Sequence, residues 1–576
     1  MNAGIAALIC LIIYAIGYRI YSKYLAESVF ELDDTRVMPA ISKSDGIDYV
    51  PTNKWILFGH HYASIAGLAP MLGPAVAVIW GWLPALLWVV FGALLIGCVH
   101  DFAALVLSIR GQGESIGAVA ENIIGPRAKT LMHIIIFFLV ALAMGVFVYV
   151  IAFLFSPSPN EFQKDIHFPQ AVIPSFGLMF IAVIIGFMVY RLNFSWKLLG
   201  GLGFLFTLFL IFTAQQDTVL TSTGLNDLER APTIKGWSLI LLAYAFLASV
   251  LPVWILLQPR DLLNSLLLYL GLSGLYLGIF ILQPEFVAPM IRTEVEGAPG
   301  IFPFVFIVIA CGAASGFHSL VSSGTTSKQL EKETDARVVG YGGMIGESLL
   351  GLIAVLATTA GVMSHEKWMT IYANWGSVQG LGAKVGVFIN GASTFLTGLG
   401  IEKQIGASFI SIIVVSYALT SLDSATRLLR YNVEEISRHW SIPFLDNRYL
   451  SSVIAVAAIG FFAFYEVDGK AAGLLLWGLF GTTNQLLAGL ALLTATLYLL
   501  QRGKPWIYTG IPMIFLLSQT LIAMSIKLLG FYEASQWTLF VVGIILFCLA
   551  IWLIVEAVLC VIKHIKNPSL SNRMEL

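Results

Sequence analysis

The sequence predicts an all-α polytopic membrane protein of about fifteen transmembrane helices, with two broken helices inside a five-plus-five inverted repeat. Three observations point there. First, 58% of the 576 residues are hydrophobic, 11% are charged, and mean hydropathy is +0.86. Soluble domains run about 45–50% apolar and about 25% charged, so 32 basic and 33 acidic residues cannot coat the several soluble domains this length would otherwise suggest. Second, apolar runs of bilayer length recur throughout the chain. Third, two of those runs are interrupted by helix-breaking residues. A net charge of −1 gives no reason to expect a nucleic-acid partner. Cys10, Cys98, Cys311, Cys548 and Cys560 lie in apolar stretches without paired spacing and read as packing residues, neither disulfides nor metal ligands.

A bilayer-crossing helix needs about 20 mainly apolar residues. The runs fall at 3–20, 55–80, 83–109, 131–155, 171–190, 196–214, 237–257, 262–283, 302–324, 338–361, 404–426, 450–465, 472–500, 507–528 and 536–562. The first is preceded by an uncharged Met1–Gly4 and followed by Arg19 and Lys23, so it reads as a retained helix and not a secretory signal. Segment 384–401 is apolar but rich in Gly, Ser and Thr. Left as non-spanning, with the N-terminus outside, it puts 23 of the 32 basic residues in inside loops. The outside loops then hold nine: Lys164, Arg230, Lys235, Arg292, Lys367, Lys384, Lys403, Lys470 and Lys527. Cytoplasmic loops carry the excess of Lys and Arg; an outside N-terminus and a cytoplasmic C-terminus in the plasma membrane follow.

The second span contains Gly67, Pro70, Gly73 and Pro74 near its middle, and the seventh contains Pro252. Proline frees backbone groups, which in lipid survive only beside protein or a watery cavity. The two spans are an odd number apart and therefore antiparallel. Interrupted helices in inverted positions point to a secondary transporter's binding site, while simple proline kinks are the alternative. The expected organisation is an N-terminal helix and loop (1–54), a transport core (55–426), a cytoplasmic linker (427–449), and a C-terminal four-helix bundle with tail (450–576). His60, Ser64, Gly67, Pro70, Gly73, Ser249, Pro252, Trp254 and His318 are the expected substrate-lining residues.

Ionisable residues inside a membrane are costly and usually face the bundle interior. Glu347 lies in the otherwise uncharged VVGYGGMIGESLLGLIAVLA and reads as a proton carrier or an interhelical hydrogen-bonding acid. Asp101 reads as a second proton-linked acid or as a partner of Arg260. His60 and His61 point about 100° apart on a helix and cannot share one metal; His61 joins the proton-coupling candidates. Ser322, Ser323 and Thr325 could offer hard oxygen ligands to a small cation, or simply cap their own helix end. Asp423 reads as the helical partner of Arg427, and Asn484 and Gln485 as interhelical packing glue. No Walker loop, no nucleophile elbow and no CxxC pair occurs, and Met369 stands where the second histidine of a zinc-protease motif starting at His365 would be. An enzyme is therefore not expected, and no cofactor.

The segments DGIDYVPTNKWILFGHHYASIAGLAPMLGP (45–74), HDFAALVLSIRGQGESIG (100–117), LPVWILLQPRDLLNS (251–265), SGFHSLVSSGTTSKQLEKETDARVVGYGGMIGE (315–347), TSLDSATRLLRY (420–431) and WGLFGTTNQLLAGLAL (477–492) carry a resemblance. Together the chain resembles the carbon starvation protein A family of membrane transporters. His100 departs from the glutamine that relatives often carry before the aspartate. The resemblance implies a LeuT/APC-like inverted repeat and uptake of peptides or pyruvate as scavenged carbon, with the proton favoured over sodium as coupling ion. A sodium symporter and a starvation sensor stand as alternatives. The expected partners are the small-molecule substrate and the lipid bilayer, with oligomeric state left open.

Overall fold

The structure, a computed structural model, describes residues 1–158, 167–378, 381–467 and 470–566. Lys164 and the end of the tail, which enter the expected topology, lie outside the described residues. Apart from a two-residue hairpin pairing Glu466–Val467 with Lys470–Ala471, the described elements are helical.

Local signals start and stop the helices. Asn2 accepts hydrogen bonds from the Gly4 and Ile5 amides to cap α1 (Ala3–Val29). Asn53 caps α2 (Lys54–Ile65) through the Trp55 amide at 3.0 Å. Three residues on, α3 (Ala69–Trp80) starts with Pro70 in its first turn, bent 49° from α2. Then come α4 (Trp82–Arg110), α5 (Pro126–Phe155), α6 (Pro169–Leu192), α7 (Trp196–Thr213), α8 (Ile234–Val250) and α9 (Leu257–Leu282). The following span is cut into α10 (Ile301–Val308) and α11 (Gly316–Val321), the latter running on as a π-helical turn, Ser322–Thr326. The chain finishes with α12 (Arg337–Ala360), α13 (Leu381–Leu396), α14 (Lys403–His439), α15 (Arg448–Phe464), α16 (Ala472–Gln501), α17 (Ile507–Glu533) and α18 (Trp537–Lys566).

Among the described residues, 11 helices are long and apolar enough to cross a bilayer, and the bent pair α2–α3 makes a twelfth. The expected count of about fifteen is not reached, because α8 and α15 are shorter and the span at 302–324 is interrupted. The seventh span is also redrawn. Helix α8 stops at Val250, and Pro252 lies in the turn joining it to α9, so no broken helix exists there. The second break is at 309–315. Gly312, with φ +90°, turns the chain where a side-chain-bearing residue would be strained. Residues 427–439, expected as linker, continue α14 as helix.

The helices pack in a doubled pattern. The α2–α3 span lies on α9 and α12, while the α10–α11 span lies on α16 and α4. Helices α5 and α14 pack on each other, and both also contact α8 and α15. The α6–α7 hairpin sits outside α9, α13 lies against α12 and α14, and α17 and α18 cover α16.

Loop 30–53 straps one end of this bundle. Asp48 accepts from Arg427 at 2.7 Å and from Arg430 at 3.0 Å. The Val253 amide donates to Ile47 O and the Trp254 indole to Gly46 O, both at 3.0 Å. The Thr52 amide donates to Gln329 O at 3.0 Å. Helices α8, α9, α11 and α14 are thereby tied together. Burial alone would raise the Asp48 carboxyl, but the Arg430 and Arg427 guanidiniums and Lys328 hold it well below the usual carboxylate range. A depressed folded-state value means the contribution is present above the ordinary carboxylate pKa and lost only as pH falls through the depressed one. Replacing Asp48 by Asn leaves buried Arg427 without a carboxylate and Arg430 with Glu434 alone. That should cost about 3–5 kcal/mol, read as a lower thermal unfolding midpoint in detergent, with a difference from wild type that stays constant from about pH 5 to 8.

Candidate functional site

Breaking a helix in a low-dielectric interior leaves amides and carbonyls that must find partners. At 309–315 three neighbouring helices supply them. Trp88 of α4 donates its indole N–H to Ile309 O at 3.1 Å. Glu347 of α12 accepts from the Gly312 amide at 3.2 Å through Oε1. Asn484 of α16 accepts from the Phe317 amide at 2.9 Å and donates to Ser315 Oγ at 3.0 Å. Asn484 is therefore the cap of a half-helix, beyond the packing role its sequence suggests.

His318, in the first turn after the break, sits between two acids. Its Nδ1 is 2.9 Å from Asp101 Oδ2 and its Nε2 is 3.0 Å from Glu347 Oε2. The other Asp101 oxygen is 2.8 Å from His100 Nδ1. All four side chains are buried. A neutral imidazole has one N–H to donate, so facing two carboxylates requires two protons shared among the three groups. With Asp101 and Glu347 at −1 each and the imidazolium at +1, the trio sums to −1 and has room for one proton more.

A second ionic chain runs beside the first break. His60 Nδ1 lies 2.5 Å from Asp261 Oδ2, Asp261 accepts from Arg260 at 2.6 Å, and Arg260 pairs directly with Asp423. Tyr244 donates to Asp423 at 2.5 Å. The expected topology leaves Arg260 among the inside-loop cations, whereas its side chain is 1% exposed. The adjacent Arg260–Asp261 pair in an apolar stretch was the available signal. Two expected pairings are corrected: Asp101 pairs with His100 and His318 and not Arg260, and Asp423 pairs with Arg260 while Arg427 reaches Asp48. Asp101 meets His318, and Asp423 meets Arg260, because tertiary packing brings these bases in from other helices.

The remaining candidates divide. Gly67 and Pro70 line a cavity of about 20 Å³ between the two breaks, shared with Cys311, Phe317 and Ser421. Gly73 packs against Val308 of α10. Ser64 hydrogen-bonds Ser424 at 3.1 Å, and His61 Nδ1 hydrogen-bonds Thr326 at 2.9 Å. Ser249, Pro252 and Trp254 do not join this cluster: Ser249 bonds Ser452 at 2.9 Å, and the other two lie in the turn under the strap. The Ser323 and Thr325 hydroxyls donate to carbonyls four residues back, leaving Ser322 Oγ unpartnered among the described residues. No group of three or more His, Cys, Asp or Glu side chains suited to a metal ion occurs among the described residues.

Fold and site define a polytopic helical membrane protein in which two interrupted helices meet and buried titratable groups surround the interruptions. The chain belongs to the carbon starvation protein CstA family, whose model matches residues 2–398 and 376–523. It is 33% identical to the peptide transporter CstA of Campylobacter jejuni, over 92% of this chain and 81% of that protein. It is 31% identical to the peptide transporter CstA of Bacillus subtilis, covering 100% and 99%. It is also 31% identical to the pyruvate/proton symporter BtsT of Escherichia coli, covering 91% and 82%. Among solved structures it is similar to a manganese transporter of Eremococcus coleocola, with 13% identity, 90% and 99% coverage and a TM-score of 0.46.

Direct contact predicts strong energetic coupling in the trio. A double-mutant cycle on Asp101→Asn and His318→Gln, read from thermal or chemical unfolding, should give a coupling free energy of about 0.5–3 kcal/mol. The same cycle on Asp101 and Asp261 should be additive.

Proposed function

We propose that the chain is a secondary active transporter that imports peptides or pyruvate-type small carboxylates across the plasma membrane during carbon starvation, in symport with protons. The observation that carries this reading is Glu347, whose two oxygens face the His318 imidazole and the Gly312 amide of the helix break. A proton arriving on Glu347 removes the charge that holds both. The hydrogen bond to the break weakens, and the half-helices α10 and α11 become free to change their angle. Coupling then needs no long pathway, because the proton site and the hinge are one contact.

The doubled packing supports a five-plus-five inverted repeat. Its pairs are α2–α3 with α10–α11, α4 with α12, α5 with α14, α8 with α15, and α9 with α16. Helices α6, α7 and α13 are insertions, α1, α17 and α18 flank the core, and α15 and α16, expected in a C-terminal bundle, join the repeat instead. Counting α2–α3 and α10–α11 as spans and α13 as non-spanning, each pair is separated by an odd number of crossings, as inversion demands. The bias of basic residues supports a strap loop and C-terminus inside and an N-terminus outside. The names of the relatives from Campylobacter jejuni and Escherichia coli support the substrate classes and the proton. Sodium symport is not favoured, since the Escherichia coli relative is named a proton symporter.

In proteoliposomes, the wild-type protein should accumulate pyruvate or a dipeptide under an inward proton gradient and ignore a sodium gradient. Glu347→Gln should abolish accumulation while preserving counterflow exchange. Uphill uptake that survives this substitution would sink the assignment of Glu347.

A further inference from the structure

Helix α2 begins, and the Ser322–Thr326 turn ends, at the 30–53 strap, so α3 and α10 are the half-helices on the far side of the breaks. Between them lies a cavity of about 120 Å³, walled by Leu72, Gly73, Ile307 and Val308. Two cations from separate elements line it: Lys384 of α13 and Lys527 of α17. Lys527 donates to the Gly478 carbonyl. Lys384 is 7% exposed, and among the described residues no carboxylate pairs with either ammonium. A buried ammonium without a counter-charge is costly, and the proton-coupling chemistry above does not use these two. Their convergence on a largely apolar cavity beside both breaks calls for an anion that is not part of the chain.

We propose that Lys384 and Lys527 form the carboxylate-recognition subsite of the transport pathway, and that its occupant is a small monocarboxylate of the pyruvate type. The carboxylate sits on the two ammoniums, and the short carbon chain lies against Leu72, Ile307 and Val308. A single carboxylate with a short apolar tail matches two cations set in otherwise apolar walls. This inference rests on the transporter reading. It adds that the entrance on the far side of the breaks, opposite the strap, selects by charge before the proton site acts.

The test uses the full chain in proteoliposomes, with pyruvate, dialanine and pyruvamide, the last lacking the carboxylate. Lys384→Gln should raise the KM for pyruvate about 10- to 100-fold with little change in maximal rate, and Lys384→Arg should restore it. Lys527→Gln should shift KM in the same direction. Pyruvate should raise the unfolding temperature of wild type and not of Lys384→Gln, and pyruvamide should do neither. An unchanged KM in a Lys384→Gln protein that unfolds like wild type, or competition by pyruvamide equal to that of pyruvate, would overturn the subsite. Displacement of pyruvate by lower concentrations of dialanine would overturn the monocarboxylate as occupant. A wild-type protein that moves neither pyruvate nor dialanine would instead refute the transporter reading itself.

Discussion

The organising constraint is the need to satisfy a helix broken in an apolar interior. The seven residues between α10 and α11 are buried, and their amides and carbonyls lie outside any helix. Trp88, Glu347 and Asn484 reach them from three different helices, so α4, α12 and α16 must lie where they do. An orphaned buried backbone group costs on the order of 1–3 kcal/mol; three together rival the net stability of many domains. The break therefore specifies its neighbourhood as much as the neighbourhood permits the break.

Charge placement follows from the same scarcity of water. Each helix break has its own ionic chain: Asp101–His318–Glu347 at the second, and His60–Asp261–Arg260–Asp423 at the first. Both set two acids around one base, but the bases differ in kind. Arginine stays charged at any physiological pH, so the first chain is a permanent clamp between α9 and α14. The second chain is centred on His318, with a carboxylate on either side of the imidazole. The strap is a third ionic assembly, and Arg427 and Arg430 make it a fixed one as well.

Much of this was legible before any coordinates. The run Gly67–Leu68–Ala69–Pro70 announced the first break, because glycine and proline act on the backbone locally. Glu347 and Asp101 stood out because an acid in an apolar helix is rare. The second break falls away from the proline that signals it, for a physical reason. Pro252 is a strong local signal, yet it serves only a turn, while 309–315 contains no proline at all. That break exists because Gly312 tolerates its φ and because Glu347 and Asn484 compensate the lost hydrogen bonds. Those partners are distant in sequence, and no local pattern reports them.

Sequence by itself determined the solvent this chain folds in, the lengths of most spans, the first break, the acids that had to be buried, and family membership. These follow from composition and from residues acting on their own backbone. Only the tertiary structure decided which base each acid meets, where the second break falls, that Arg260 and Arg427 are interior rather than loop residues, and that Lys384 and Lys527 share one cavity. Each depends on helices far apart in the chain arriving side by side. That arrival is set by the sum of packing and hydrogen-bond satisfaction over the whole bundle, which no single segment encodes.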